Sequence, residues 1–308
     1  MYDTIHFYRH EDRACNLQAL TPQFLNNVSE HLKDDGRYSV SGTLNNMKVC
    51  LFESGVSIKG SLAKYYLNDN IQTLTRQDSA RAIQKLSDEL HLDISDASIT
   101  RIDFAHNFIM SQKPTIYYPY LGESQYFTRH SQPKSLYYKN GNRTKFFYDK
   151  LSEAKFRAVR VPEVCDNKHL LRYEIRYSKR LDKQLKVPEV RGRTLSEESF
   201  YIRLIDRYIL DYKSIHKNPS INFDITNMAT PKDFIIQLAV MKANEIGQPS
   251  LMELIEEMRE KAVFDKPEYY SRLKKELRDK MQKFKTSDSS YLIEELDSKI
   301  SGLKRYYR

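Results

Sequence analysis

The chain has 308 residues, of which 40% are hydrophobic and 30% are charged, enough to bury one large core or two smaller ones. No apolar run approaches the roughly 20 residues that a membrane helix needs, and the charged N-terminal segment lacks the apolar stretch of a signal peptide. The three cysteines form no CxxC pair, which argues against a zinc ribbon or a disulfide framework. We therefore expect an intracellular protein without membrane contact.

The positive charge is concentrated in one part of the chain. The net charge is +9, and residues 134–193 alone hold 17 Lys or Arg against 7 Asp or Glu. The chain also has 22 tyrosines and no tryptophan. A basic segment with interleaved aromatic residues is typical of surfaces that bind a phosphate backbone and unstacked bases. A solvated basic surface has the same composition, but the concentration of charge favours nucleic acid as the partner.

The first 190 residues read as mixed strands and helices. Alternating apolar and polar residues predict strands in TIHFYRH, RYSVSGTL, KVCLFESGVSIKG, ASITRIDFAHNFI, SLYYKNGNRTKFFYDK and LLRYEIRY. A helix is predicted in TRQDSARAIQKLSDELHL, with Ile83, Leu86 and Leu90 on one stripe and Asp78 as its cap. The Asn-Gly-Asn sequence at 140–142 indicates a hairpin turn. The fold class that follows is α+β, an antiparallel sheet with helices on one face.

After residue 190 the sequence pattern changes from mixed strand and helix to mainly helical periodicity. A T-x-x-E capping sequence at Thr194 opens the helical segment TLSEESFYIRLIDRYILDY. Further helical periodicity follows in PKDFIIQLAVMKANEIG, SLMELIEEMREKAV, PEYYSRLKKELRDKMQKF and SSYLIEELDSKISGLKRYY. We therefore predict a first domain over residues 1–190 and a helical C-terminal domain over 196–308.

Two strands place charged residues in a row on one side. In SITRIDFAHNF, a period of two puts the apolar side at Ile102, Phe104, His106 and Phe108 and the other side at Arg101, Asp103, Ala105 and Asn107. In HLLRYEIRYS, the polar side carries Arg172, Glu174 and Arg176. One interpretation is cross-strand ion pairs on a solvated sheet face. The other is a pair of carboxylates converging on a divalent cation, with arginines left for phosphate.

The third strand, RTKFFYDK, places a tyrosine next to a lysine. Its alternation puts Tyr148 and Lys150 on the same side. A nearby cation favours the phenolate, and a phenolate can attack phosphorus to form a covalent phosphotyrosine. The alternative is an aromatic strand with the tyrosine hydroxyl at the rim of the core. Spacing alone favours packing, since the chain offers many tyrosines.

The order of four motifs resembles that of the rolling-circle replication initiators. The motifs are VSIKGSLAK, TRIDFAHNF, FFYDK and LLRYEIRY, which together cover roughly residues 50–180. The chain is similar to the gene II and gene X replication proteins of filamentous phages. It is also similar to the Rep proteins of staphylococcal rolling-circle plasmids, and both groups are related to the HUH-type endonucleases.

The resemblance implies an endonuclease that nicks one strand of origin DNA, single-stranded or in a hairpin. Tyr148 would be the nucleophile, forming a 5′-phosphotyrosine link and freeing a 3′-OH, with Lys150 stabilising charge. Asp103, Glu174 and Asn107 would hold a divalent metal, Mg²⁺ or Mn²⁺, acting as a Lewis acid. The residues expected to contact DNA phosphates are Arg101, Arg172, Arg176, Lys145 and Arg143.

The sequence also departs from these families. No H-x-H pair is present, so the two-histidine metal clamp of the HUH group is missing. Where the plasmid proteins have a glutamate on the VSIKG strand, this chain has Ser57 or Lys59, and Asn107 replaces an acid. We expect His106 to be a core histidine, because its side of the strand is apolar, and His6 is a more distant metal ligand candidate.

Two other functions fit part of the sequence. A non-catalytic DNA-binding regulatory protein would need only the basic segment and the helical domain. A tyrosine recombinase would use an H-x-x-R motif, which His169 and Arg172 match, but this motif lies on a predicted strand rather than a helix. For an initiator, the resemblance implies a bacterial host cell as the location and a host helicase and polymerase as further partners, and the C-terminal helices could support a homodimer.

Overall fold

The computed structural model describes residues 1–10, 24–32, 34–159, 161–218, 230–283 and 291–307. The strands in these ranges are β1 (Tyr2–His10), β2 (Asn26–Leu32), β3 (Tyr38–Leu44), β4 (Met47–Phe52), β5 (Gly55–Ser61), β6 (Ser98–Met110), β7 (Leu121–Ser124), β8 (Thr128–Gln132), β9 (Ser135–Lys139), β10 (Arg143–Asp149), β11 (His169–Tyr177) and β12 (Ile215–Lys217). The α-helices there are α1 (Leu62–Leu67), α2 (Arg76–Leu90), α3 (Lys150–Phe156), α4 (Leu181–Leu185), α5 (Glu198–Lys213), α6 (Pro231–Ile246), α7 (Gln248–Glu260), α8 (Pro267–Lys283) and α9 (Tyr291–Ser301). The predicted α+β class is confirmed.

The architecture is dominated by one antiparallel sheet. In the described part of the chain, ten strands pair in the order β2-β3-β4-β5-β1-β6-β11-β10-β9-β8. Strands β1, β6, β11 and β10 are therefore consecutive neighbours at its centre. This order brings the two charged strands and the tyrosine strand of the sequence analysis side by side, although they are separated by up to about 70 residues of chain.

One face of the central strands carries an aromatic core. Phe104, Phe147 and Tyr173 are fully buried there, and the rings of Phe147 and Tyr173 stack with centroids 4.4 Å apart. The helix α5 packs onto this face: the ring of Tyr201 meets that of Phe104 at 6.0 Å, and the ring of Tyr208 meets that of Tyr173 at 4.4 Å. Large aromatic side chains bury enough apolar area to hold the helix against the sheet.

The helix starts differ in detail from those predicted. Helix α2 begins after Thr75, whose hydroxyl accepts from the Asp78 backbone N–H at 3.2 Å, while the Asp78 carboxylate accepts from the Thr75 N–H at 3.2 Å. Asp78 is thus the third helical residue of a capping box rather than the cap itself. The predicted capping sequence at Thr194 is wrong, because this residue lies in a 3-10 turn and its hydroxyl accepts from the Arg191 N–H. Helix α5 starts later, at Glu198.

The chain divides into two compact units. The first comprises Met1–Tyr118, Ser124–Ser214 and Ser298–Arg308, and it contains the large sheet, α1 to α5 and the end of the chain. This division differs from the predicted boundaries of 1–190 and 196–308, because the aromatic residues of α5 belong to the core under the sheet. The sequence pattern identified a helix there but could not show which core it joins.

The second unit comprises Pro119–Glu123 and Ile215–Asp297. Its helices α6, α7 and α8 share a small core of Val240, Ala243, Leu251 and Met281. Helix α6 starts with a capping box in which the Thr230 hydroxyl and the Asp233 carboxylate each accept from the other residue's backbone N–H. Among the described residues, no helix combines the length and the apolar character needed to cross a bilayer.

Candidate active site

The face of the central strands opposite the aromatic core carries a buried charged cluster. Three carboxylates on three strands belong to it: Asp3 on β1, Asp103 on β6 and Glu174 on β11, all between 1% and 7% exposed. Buried charges are costly unless they are paired. The antiparallel registers provide the pairing, since Arg176 lies opposite Asp103 on the neighbouring strand and Arg172 lies opposite Tyr148.

Arg172 is the centre of this cluster. Its side chain is buried, and its guanidinium donates to Asp3, to Glu174 Oε2 at 3.1 Å and to Asn107 Oδ1 at 3.2 Å. It also donates to the backbone carbonyl of Asn70 at 3.0 Å. Burial would lower the pKa of Arg172, but the interactions with Tyr148, Asp3 and Glu174 outweigh burial and raise it. The prediction that Arg172 contacts DNA phosphates does not fit this placement, because its donors are used inside the protein.

Asp3 is a member of the cluster that the sequence analysis missed. Its carboxylate pairs with Arg172 and accepts from the Ser61 hydroxyl and from Asn70 Nδ2 at 3.2 Å. Burial alone would raise its pKa, but Arg172 and these hydrogen bonds outweigh burial and lower it. Strand alternation could not reveal Asp3, because a register shift between Tyr2 and Ile5 turns it away from the side that a regular strand would give it.

Asp103 is held between two arginines. Its carboxylate accepts from Arg101 Nε at 2.8 Å and from Arg176 Nε at 3.2 Å. Arg176 also approaches Glu174 Oε1 at 3.6 Å and stacks over the Phe146 ring at 4.7 Å. About a third of the Arg176 side chain is exposed, against 3% for Arg172. Of the arginines in the cluster, Arg176 is therefore the better placed to meet a phosphate from solution.

Tyr148 joins this cluster through its hydroxyl. The Tyr148 O–H donates to Glu174 Oε2 at 3.2 Å, the same oxygen that accepts from Arg172. Burial raises the pKa of Tyr148 well above its usual 10, although Arg172 acts in the opposite direction. Burial also raises the pKa of Glu174, opposed by Arg172 and reinforced by Asp103. The phenol is thus neutral in the resting state and hydrogen-bonded to a carboxylate of increased basicity.

Lys150 is placed differently from the prediction. Strand β10 ends at Asp149, and Lys150 is the first residue of α3 rather than a strand neighbour of Tyr148. Its ammonium donates to Glu153 at 2.8 Å and its side chain is almost fully buried. Burial, together with the positive charge of Arg172, lowers the pKa of Lys150. The alternation argument failed here because the chain changes from strand to helix one residue earlier.

The predicted metal ligands do not form a ready metal site. Asn107 uses Nδ2 to donate to the carbonyls of Asn70 and Ile71 at 3.0 and 2.8 Å, and its Oδ1 accepts from Arg172. The carboxylates of Asp103 and Glu174 are engaged by arginines. In the part of the chain that the structure describes, no group of three His, Cys, Asp or Glu is arranged to hold a metal ion. Instead of binding a metal, the Asn107 side chain holds the backbone at Asn70 and Ile71, just after α1, by these hydrogen bonds.

Two predicted DNA contacts lie on the other face of β10. Lys145 is completely buried and donates to Ser124 Oγ at 3.0 Å and to the Asp211 carbonyl at 2.7 Å. Arg143 pairs with the Asp211 carboxylate at 3.2 Å and stacks over the Phe127 ring. The predicted contacts of Lys145 and Arg143 with DNA phosphates do not fit this placement. Alternation along β10 puts positions 143 and 145 on the face opposite Tyr148.

The remaining residues singled out in the sequence are three histidines and two residues of β5. His106 is 6% exposed and its Nδ1 lies 3.0 Å from the Thr73 hydroxyl, as expected for a core histidine. His6 is half-buried on β1 beside Arg101, and burial and that arginine lower its pKa to about 4. On β5, Ser57 is buried and Lys59 is exposed. His169 and Arg172 lie on β11, so the recombinase-like string is on a strand.

Two clefts open onto the charged cluster, and Tyr148 lines both. The first, which we call the acidic cleft, has a volume of about 340 Å³ and is bordered by Asp3, Asp103 and Glu174. The second, which we call the aromatic cleft, has a volume of about 500 Å³ and is bordered by Phe146 and Phe156. Arg176 and Glu174 also line both clefts. Tyr148 and its carboxylate partner Glu174 are thus among the residues that the two clefts share.

Comparison with known families identifies the family of this chain. Residues 1–196 match the phage family described as the N-terminal region of a replication-associated protein, the gene II protein. This match covers more than half of the chain, and the chain therefore belongs to that family. No curated protein matches the chain. The coarse prediction of a phage-type replication initiator that acts on origin DNA is supported, and the match includes every residue of the charged cluster.

Proposed function

We propose that this protein nicks one strand of origin DNA with Tyr148 as the nucleophile and so initiates rolling-circle replication. The observation that carries the proposal is the hydrogen bond from the Tyr148 hydroxyl to Glu174 Oε2, at a point open to two clefts. Membership in a phage replication-associated family supports a role in starting DNA synthesis. A nick that leaves a 3′-OH supplies the primer that such synthesis requires.

The chemical step uses the two partners of that hydrogen bond. As the Tyr148 oxygen attacks the phosphorus, its proton passes to Glu174, whose raised pKa makes it a better base than an ordinary glutamate. A Tyr–O–P bond forms and the P–O3′ bond breaks, with its electron pair leaving on O3′, which then takes up a proton. The DNA 5′ phosphate stays on the protein as a phosphotyrosine and the 3′-OH is free.

Arginines assist this step in two ways. Arg172 keeps Glu174 in place and lowers the cost of negative charge on Tyr148, since its positive charge opposes the rise in the phenol's pKa. Arg176 lines both clefts and is partly exposed, so its guanidinium can hold the phosphate at the point of attack. Lys150 faces Glu153 and contributes positive charge near this point rather than a direct contact.

A divalent metal stays a prediction. The acidic cleft has the right donor chemistry, because oxygen ligands suit Mg²⁺ and Mn²⁺. However, the carboxylates of Asp103 and Glu174 are bound by arginines, so a metal would require those pairs to separate. We therefore derive no step through a metal. Assaying nicking before and after chelation, with Mg²⁺ or Mn²⁺ added back, tests the prediction directly.

The decisive test is covalent capture. Purified protein is incubated with labelled single-stranded oligonucleotides that span the replicon's origin, denatured, and examined for DNA that stays attached. We expect an adduct with the wild type and none above background with Tyr148→Phe. Tyr137→Phe is the matched control, because this tyrosine lies along the same aromatic cleft and is half-buried, and it should keep the adduct.

Other outcomes would redirect the assignment. An adduct that survives in Tyr148→Phe would move the nucleophile to another tyrosine. Tight binding to origin DNA without any adduct would favour the non-catalytic DNA-binding protein. We further propose a bacterial host cell as the location, a host helicase and polymerase as later partners, and a homodimer. The relation to plasmid Rep proteins and to HUH endonucleases likewise stays a prediction.

A further inference from the structure

A third cleft adjoins the aromatic cleft and is lined by lysines. It has a volume of about 460 Å³ and is bordered by Lys113, Lys134, Lys155 and Lys168. We call it the lysine cleft. These residues come from four places in the chain: the approach to a 3-10 turn at 114–116, the β8–β9 turn, helix α3 and the start of β11. The fold thus collects four ammonium groups that are distant in sequence.

The lysines of this cleft are available to a ligand. All four are exposed, and among the described residues none of them forms an ion pair within 4.0 Å. The carboxylate in the lining, Asp149, is already used, because it accepts from the backbone N–H groups of Leu151 and Ser152 at 3.0 Å and from the Ser152 hydroxyl at 2.8 Å. The lining therefore holds four ammonium groups against one carboxylate, a net charge of +3 (4 − 1).

The lysine cleft is continuous with the proposed site of chemistry. Lys134, Asp149 and Ser152 line both the lysine cleft and the aromatic cleft, and the aromatic cleft reaches Tyr148. An anionic chain bound along the lysines is thereby directed toward the phenol. A single phosphate ion would occupy only part of the lysine cleft. A polyanion could extend along the lysine cleft and the adjoining aromatic cleft.

The aromatic cleft has a feature that favours unpaired bases. Phe156, at the end of α3, is 90% exposed and borders this cleft. A phenylalanine so exposed gains nothing from the protein core, but its ring offers a surface on which a nucleobase can stack. In a duplex the faces of the bases are covered by their neighbours, so a single strand fits this surface better.

We propose that the lysine cleft and Phe156 bind the single-stranded DNA that flanks the phosphate presented to Tyr148. The lysines would contact the sugar-phosphate backbone, and the Phe156 ring would stack with one base. The orientation toward Tyr148 rests on the proposed nicking function. The binding of single-stranded DNA itself does not, and it can be measured without any cleavage.

The test uses the full chain carrying Tyr148→Phe, so that no adduct forms. Binding of a fluorescein-labelled dT strand of about 20 nucleotides is followed by anisotropy over a range of salt concentrations. We expect Lys134→Ala with Lys168→Ala to raise Kd about tenfold at low salt and to flatten the salt dependence by roughly 0.7 per lysine. Phe156→Ala should also raise Kd about tenfold, with the salt dependence unchanged.

The matched control is Lys179→Ala with Lys183→Ala, two exposed lysines of the same basic segment that do not line the cleft. An equal loss of affinity in this control would overturn the proposal, because general positive charge would then explain binding. An equal loss of affinity for a duplex of the same length would overturn the preference for a single strand. Failure of the wild type to form an adduct would contradict the nicking function alone, since the anisotropy measurements do not depend on it.

Discussion

Strands β10 and β11 carry a buried charged cluster on each of their two faces, and the two clusters differ in one respect. On one face, Lys145 and Arg143 meet Asp211 beneath α5. On the other face, Arg172 and Glu174 meet Tyr148. Both clusters are paired and hydrogen-bonded, as buried charges must be. Of the two, within the described residues, the second borders the acidic and aromatic clefts.

The difference shows what separates a structural charge from a chemical one. Lys145 has 0% of its side chain exposed, and its ammonium is surrounded by Ser124, Ser214 and the Asp211 carbonyl at 2.7–3.0 Å. A ligand has no access to it. Tyr148 is also largely buried, but it lines both the acidic and the aromatic cleft. Access to solution, rather than the amount of buried charge, therefore marks the candidate active site.

Among changes to the charged residues of the two clusters, removing the charge of Glu174 should have the largest effect. Glu174→Gln keeps the shape of the side chain but cannot accept the Tyr148 proton, so we expect the nicking rate to fall by roughly 10²–10⁴. The rate of adduct formation at saturating DNA measures this. The stability should change little at neutral pH, because a carboxyl with a raised pKa favours the fold most when protonated and loses that contribution as pH rises through its pKa.

The same variant could contradict the comparison. If Glu174→Gln unfolds the protein, the charge of Glu174 is structural, like that of Lys145. The Arg172, Glu174 and Tyr148 cluster, which we call the open cluster because it borders the clefts, would then not differ in role from the Lys145 cluster. If it folds and nicks at the wild-type rate, Glu174 is not the base. Asp3→Asn helps to separate these outcomes, since it changes another carboxylate partner of Arg172 without touching the hydrogen bond from Tyr148 to Glu174.

Much of the fold could be predicted from the sequence. Strand alternation correctly gave the inward face of β6, with Ile102 and Phe104 at 0% exposed, and the helical period gave the stripe of α2, with Leu86 and Leu90 at 0%. These predictions succeeded because a single period holds along each element. The choice between a solvated face and a functional one could not be made in this way, since it depends on which strands become neighbours.

The misses arose where a local period breaks or where the partner is remote. The bulge in β1 hid Asp3, and the strand-to-helix change at Lys150 removed it from the predicted row with Tyr148. The sequence predicts a DNA contact for Lys145, although alternation along β10 places this residue on the face opposite Tyr148. Its partner Asp211 lies 66 residues further along the chain, beyond any local pattern.

Removing the charge of Lys145 should lower stability and leave the nicking rate unchanged, the opposite of what is expected for Glu174→Gln. Lys145→Met keeps the aliphatic stem but removes the ammonium that donates to the Ser124 and Ser214 hydroxyls and to the Asp211 carbonyl, which keeps the Ser214 hydroxyl as a side-chain donor at 2.9 Å. We expect the free energy of unfolding to fall by about 3 kcal/mol, because these buried acceptors lose their charged donor. Chemical denaturation measures this loss. The nicking rate per folded molecule should be unchanged. A loss of nicking without a loss of stability would contradict the conclusion that Lys145 is inaccessible to DNA and has only a structural role.

The smallest expected effect is a pH dependence that belongs to the open cluster alone. Glu174 must be ionised to accept the Tyr148 proton, and burial raises its pKa above the ordinary 4.5, so the nicking rate should rise about tenfold per pH unit below that raised pKa. The fold should persist in this range with respect to Asp3, whose lowered pKa means that its stabilising charge is lost only as pH falls below 3.8. Single-turnover rates between about pH 4 and 8 (roughly the range in which carboxyl and imidazole groups titrate) measure the limb. Lys145→Met should show the wild-type limb and Glu174→Gln a flat profile, so an identical limb in Glu174→Gln would assign the titration to another group.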